Sequence, residues 1–344
     1  MPLCLALLIT GTALRQIDRV HFARHRPHTA DAARLIALQR TRANDLTPLL
    51  LLAGQWTQIT GWWMLAAHGP LAAVLAAAAV AVHFRHLQEI SHAAVHGVLA
   101  RTLRANQLLA EVFAHHPLGL GPLTSRRRRH VHDHHPNATL TGDPNLAELR
   151  QAGLHPGTTR PAYALALIHP LTPRGIRGTA AGLATHLRGP GAWHRAAALA
   201  ALCALAYASG GWPALLCGML IPRLLLYPQL AWMSLLVEHT WFDPEHRSGT
   251  PAQVEAGRCL RLYPRNCALA TLAASTWLPY GDLHHYAHSA HPGLRWNYLP
   301  AAEAHLAPPH FSPDGLLIGT ATVARRHHQA LNAPAARATH PVTA

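Results

Sequence analysis

Histidine stands in three clusters along this chain: His92 and His96, then His130, His132, His134 and His135, then His284, His285, His288 and His291. With His239 these make eleven of the 29 histidines, gathered from segments far apart in sequence. That pattern reads as a polynuclear metal site, since neutral imidazole is the commonest protein ligand and suits iron, copper, zinc and nickel. On a helix, His92 and His96 share one face and aim at a common point. His130 and His134 do the same, while His135 lies about 100° round, placed to reach a second metal. His132 points elsewhere and is a reserve ligand. In the third cluster Asp282 can cap a short helix on which His284, His288 and His291 share a face and His285 flanks it. The plainer alternatives are polar helix ends and a solvated histidine patch. Arg126 to Arg129 would repel a bound cation, and their ordinary role is anchoring at lipid headgroups. His239 alone reads as a polar residue at headgroup level. His83, His86, His115, His116, His327 and His328 are left as surface groups or as partners of ligands.

Four apolar runs must position these residues. They cover about 47–67, 71–90, 194–209 and 212–237, each approaching the roughly 20 residues that cross a bilayer. The turns within the pairs, His68-Gly69-Pro70 and Gly210-Gly211-Trp212-Pro213, carry no Lys or Arg. The segment between the pairs and both termini are basic, which places them in the cytoplasm together with all three clusters. The expected fold is an all-α integral membrane protein, with four transmembrane helices in two hairpins under a cytoplasmic helical cap that carries the histidines. In the second run polar groups appear at His83, Arg85 and His86. A helix continuing past the bilayer explains them and would carry His92 and His96 beyond the surface. Arg223, inside the fourth run, should face the bundle interior without a catalytic role. Residues 1–46 read as a cytoplasmic arm whose apolar start is unstructured or surface-lying. Residues 306–344 read as a mobile tail, poor in apolar periodicity. The net charge of +14 belongs to loops beside apolar spans rather than to a basic strand interleaved with aromatics, so nucleic acid is not an expected partner. The five cysteines form no CxxC pair and suggest neither a disulfide framework nor a thiolate zinc site.

With its boxes and spans in place, the chain resembles the membrane fatty acid desaturase and hydroxylase superfamily over about 48–300. His92 to Gly97 matches the first histidine box and its following glycine. Pro117-Leu118-Gly119 and then Arg126 to His135 resemble the approach to the second box, and Asp143-Pro144-Asn145 the acidic motif after it. Tyr286 to Pro300, with Pro292, Trp296, Leu299 and Pro300, keeps the spacing that follows the third box. The resemblance makes residues 47–305 a desaturase-like membrane domain and adds His239 to the ligands. It implies two iron ions in a non-haem di-iron centre, molecular oxygen as oxidant, a lipid or acyl substrate, and an external electron donor such as a ferredoxin. A carboxylate-bridged di-iron bundle would need Glu and Glu-x-x-His pairs on facing helices, and none stands out. One departure is plain: in this register Ser289 occupies the place of the last histidine of the third box. His284 or His291 is expected to supply the missing ligand. The leading function is oxygen-dependent desaturation of acyl chains or related lipids, with a hydroxylase or ketolase on the same scaffold as alternative. A histidine-rich metal transporter is the rival from another class, but transport sites lie near the bilayer midplane rather than at helix ends.

Overall fold

Helices α1 (Pro2–Ala23) and α3 (Thr47–Ala66) lie against each other in opposite directions, with Cys4 and Leu8 beside Gly61 and Gly11 beside Gly54. A Cβ on Gly11 would stand 2.7 Å from the Gly54 carbonyl oxygen, and one on Gly54 2.8 Å from that of Gly11. Only glycine lets two backbones close this far. The start of the chain is therefore a helix docked on α3 with much of its length exposed, not an unstructured lead-in. Between the two, Asp31 caps α2 (Ala32–Gln39) by accepting from the Ala33 N–H at 2.9 Å. The computed structural model describes residues 1–23, 31–262, 267–306 and 322–333, and among them every regular element is helical.

A turn at Gly69 leads into α4 (Pro70–Val95), whose 26 residues extend about 39 Å at 1.5 Å each. Its first turns expose Leu71, Val74 and Leu75, while its second half buries His83, Arg85, His86 and Glu89. The helix runs on past the apolar stretch as expected, carrying His92 within it and His96 at its C-cap. His83 and His86 are thus interior residues: His83 Nδ1 bonds Gln55 Oε1 at 2.6 Å, and His86 meets Arg15 at 2.9 Å.

After α5 (Leu103–Ala110) a π-helical turn, Glu111–His115, passes into α6 (His116–Leu118). Next, α7 (Leu123–Arg127) continues directly into a second π-helix, Arg128–His134. Three surface helices follow: α8 (Pro144–Gln151), α9 (Arg160–Leu167) and α10 (Pro173–His186).

The third and fourth apolar runs form one hairpin. Helix α11 (Ala192–Leu215) breaks at Gly210 and Gly211, the latter with φ +64°. The chain then returns through the π turns Leu216–Leu220 and Pro222–Leu226 into α12 (Tyr227–Glu238). A Cβ at Gly210 would lie 2.3 Å from the Trp63 carbonyl oxygen, and Trp63 Nε1 donates to Gly218 O at 2.7 Å. Arg223 is buried inside the bundle, where its Nε donates to Leu118 O at 2.5 Å and its guanidinium lies over the Tyr227 ring. Of the four expected spans, two stretches among the described residues are long and apolar enough to cross a membrane, Pro70–Val95 and the doubled-back Ala192–Glu238. Gln55 and Gln58 dilute the apolarity of α3.

The last helices are α13 (Pro251–Arg258), α14 (Cys267–Ser275), α15 (His285–Ala290), α16 (Leu299–Glu303) and α17 (Val323–Asn332). Part of the expected mobile tail is therefore a packed helix. Val323 and Leu331 are buried, His327 Nε2 meets Leu236 O at 2.9 Å, and Gly157 N–H donates to Leu331 O at 3.0 Å. The rest of that tail, 307–321 and 334–344, lies outside the described residues.

Candidate metal centre

His92 and His96 leave α4 four residues apart, their Nε2 atoms 3.2 Å from each other. From the second box, His130 Nε2 comes within 2.7 Å of His92 Nε2, and His135 Nε2 lies 3.2 Å from His130 Nε2. The His288 ring, from α15, stands 4.5 Å from that of His96 and 4.8 Å from that of His92. His92, His96, His130 and His288 can each offer a nitrogen such that all four lie within 4.8 Å of one another. A second lobe adjoins this one. There His239 and His285 bring their Nε2 atoms to 3.1 Å, and the His134 ring lies 5.2 Å from that of His239.

The helix period alone does not give this pairing. Residues 128–134 are a π-helix, bonded i to i+5, so His130 and His135 come into register while His134 turns toward His239. The third box also departs from expectation. Gly281, not Asp282, precedes the 3-10 turn Asp282–His284, and the Asp282 side chain makes no cap. His285 and His288 face the centre; His284 turns its Nδ1 onto the Glu303 carboxylate, and His291 is half-buried at the helix end. The rings that close on one another are those of His92, His96, His130, His134, His135, His239, His285 and His288. His284 and His291 are not in that set, so neither ring is brought to the place vacated at Ser289. His132 is exposed on the opposite side of its turn.

Two of the inward rings have a carboxylate behind them at hydrogen-bond distance. Glu89 Oε1 holds His92 Nδ1 at 2.5 Å, and Asp143 Oδ1 holds His134 Nδ1 at 2.9 Å. Asp282 Oδ1 stands 3.7 Å from His285 Nδ1, beyond hydrogen-bond distance, and Cys259 Sγ lies 3.2 Å from His239 Nδ1, the ring nitrogen that does not meet His285. An acceptor on Nδ1 fixes the tautomer that leaves the Nε2 lone pair free for a metal. Arg85 ties two of these acceptors together, with Nη1 on Glu89 Oε2 at 3.0 Å and Nη2 on Asp282 Oδ2 at 2.5 Å. Asp143 was legible as a motif; Glu89, three residues before His92 on one helix, was a signal that helical spacing offered and sequence reasoning missed. The tie that Arg85 makes between Glu89 and Asp282 had no such signal.

The electrostatics favour neutral rings. Burial first, and then the neighbouring imidazoles, hold His96, His130, His239 and His288 well below the ordinary histidine range. Burial and His134 push His135 down to about 2. Burial also pulls on His285, but the Glu238 and Asp282 carboxylates outweigh it and raise that ring. His288 Nε2 is buried and has no hydrogen-bond partner. Neutral, convergent imidazoles with an orphaned lone pair are the donor set of a nitrogen-ligated transition metal, and the residues present fit iron held by histidine. A cavity of about 880 Å³ opens onto His92, His130 and His285, walled on one side by Ala231, Trp232 and Leu235 of α12.

The chain was also compared with known proteins. No curated protein matches it. The family model described as fatty acid desaturase matches residues 61–318, three quarters of the chain, and spans α4 to α16 and the eight converging histidines. By that match, and by boxes that meet in space as the resemblance implies, the chain belongs to the fatty acid desaturase family.

Proposed function

We propose that this protein is a membrane-bound, oxygen-dependent desaturase of fatty acyl chains or related lipids that works with two histidine-held irons. The observation that carries the reading is the convergence of eight imidazoles from four distant segments beside a cavity large enough for part of a lipid chain. His92, His96, His130 and His288 would hold one ion. His134, His239 and His285 would hold the other, with His135 between the two groups. The irons supply the reduction of oxygen and the removal of hydrogen from an unactivated C–H bond, chemistry that side chains do not perform.

The chain's own residues do the positioning. Glu89 and Asp143 accept the Nδ1 protons of His92 and His134, so that the nitrogens facing the centre carry lone pairs. Arg85 holds Glu89 and Asp282 in place at the floor of the site. Ala231, Trp232 and Leu235 offer an apolar wall against which a substrate chain can lie next to His92 and His130. Exposed Ile9, Leu71, Val74 and Trp212 support a lipid-facing belt around the two hairpins, and the four-run topology with cytoplasmic boxes is part of this proposal. The basic surface near Arg127 to Arg129 suits an acidic electron carrier such as a ferredoxin.

The test has two readouts. Metal analysis of the purified protein should give about two irons per chain, whereas zinc alone would point to a transporter. Expression in a host lacking the activity, followed by lipid profiling, should reveal a new double bond. A new hydroxyl or keto group would move the reading to the hydroxylase or ketolase alternative.

A further inference from the structure

The third box places Ser289 where a histidine would complete the ligand set, and neither His284 nor His291 is turned into that place. A different residue faces it. Cys259 follows α13, is fully buried, and has Sγ 3.2 Å from His239 Nδ1 and 3.5 Å from Glu255 Oε2, with Ser289 as its neighbour. Its position is fixed by backbone. His239 and Cys259 form an isolated antiparallel bridge, reinforced by Thr240 N–H to Arg258 O at 2.8 Å and Leu260 N–H to Glu238 O at 3.2 Å. The sulfur is therefore set against His239 by the chain path and not by a chance rotamer.

His239, Cys259 and His285 can each offer one ligand atom such that all three lie within 4.8 Å of one another, and all three residues are buried. One further polar atom beside the sulfur, Ser289 Oγ, is buried without a hydrogen-bond partner. The first lobe, in contrast, has four imidazoles and no sulfur. A serine hydroxyl is a weak neutral donor, whereas a thiolate is a strong ligand, and a divalent cation deprotonates a thiol that it coordinates.

We propose that Cys259 is a metal ligand, its thiolate beside His239 Nδ1 supplying the donor that the third box lacks at Ser289, so that one metal position is all-imidazole and the other mixed sulfur and imidazole. On binding, the S–H bond breaks and a sulfur–metal bond forms. The proton passes to Glu255 or to water, and no electron is transferred. The inference rests on the two-metal reading given above, and it makes the two positions differ in metal preference, since thiolate draws the softer ions.

Cobalt(II), which reports sulfur ligation by its colour, is the probe. The full-length protein, stripped and reloaded with cobalt, should bind about two ions per chain and show a sulfur-to-cobalt charge-transfer band in the near ultraviolet. Cys259→Ser should remove the band and weaken one of the two ions by about 10- to 100-fold, the other unchanged. Adding Ser289→His to that variant should restore tight binding of the second ion without restoring the band. Two bound cobalt ions with no sulfur band in the unaltered protein would overturn the proposal, as would a Cys259→Ser protein that binds both ions as tightly. A chain that binds neither cobalt nor iron would overturn the two-metal reading itself, which separates the two failures.

Discussion

Asp143 serves two masters: it caps α8 through the Asn145 N–H at 2.8 Å and holds His134 Nδ1 at 2.9 Å. Asparagine caps a helix about as well as aspartate, so Asp143→Asn separates the two roles. We expect helix content to be unchanged while affinity for one metal falls by about 10- to 100-fold, as measured by metal titration and circular dichroism. Acidity gives a second prediction. In the metal-free protein His135, His96, His130 and His288 bind protons less readily folded than unfolded, from an ordinary value of 6.5 down to about 2 for His135. Below 6.5 the unfolded chain takes up more protons, so stability is full above that pH and declines as pH falls toward the folded values. His285, raised, acts oppositely, adding stability below 6.5 that fades as pH rises through its folded value. Urea unfolding of the apo-protein should show a net loss on acidification below pH 6.5; a flat profile there would contradict the buried-neutral assignment. At this scale the histidines that converge were legible by type and spacing, though His284 and His291, expected with them, do not converge. The acceptors behind them were less legible, because an Asp or Glu acquires that role only when folding brings it to a ring.

At the scale of elements, regular periodicity was readable and its interruptions were not. The spacing of His92 and His96 predicted a helix that α4 supplies. His130, His134 and His135 fall on a π-helix instead, and an inserted i-to-i+5 turn leaves no mark in hydrophobic pattern. The two glycines that join α1 to α3 were equally silent, since a glycine's use as a contact surface depends on its partner. Gly54→Leu drives side-chain atoms into the Gly11 carbonyl region, and overpacking of this kind costs about 1–3 kcal/mol. A lowered midpoint in thermal unfolding of the detergent-solubilised protein is the expected result. Helix α17 was missed because only Val323 and Leu331 anchor it, too few apolar residues to stand out in a tail rich in alanine and proline.

Across the whole molecule, the cavity shares His92, His130 and His285 with the metal centre, but its wall of Ala231, Trp232 and Leu235 on α12 can be perturbed apart from them. Ala231→Trp should fill the cavity beside α12, abolishing product in a lipid profile while metal content stays unaltered; a parallel loss of metal would mean that the wall is also a support. The same scale shows why the ends of the chain matter to a centre that holds none of their residues. Asp18 of α1 accepts from Arg295 Nη2 at 2.8 Å, Trp296 Nε1 at 2.9 Å and Asn297 Nδ2 at 2.9 Å, clamping the segment just after the third box. The contact between Asp18 and Arg295 spans 277 residues. Contacts of such separation close slowly, because the intervening chain must first be ordered. The segment that follows the third box is thus held in place by the chain's earliest helix, which contributes no ring to the centre.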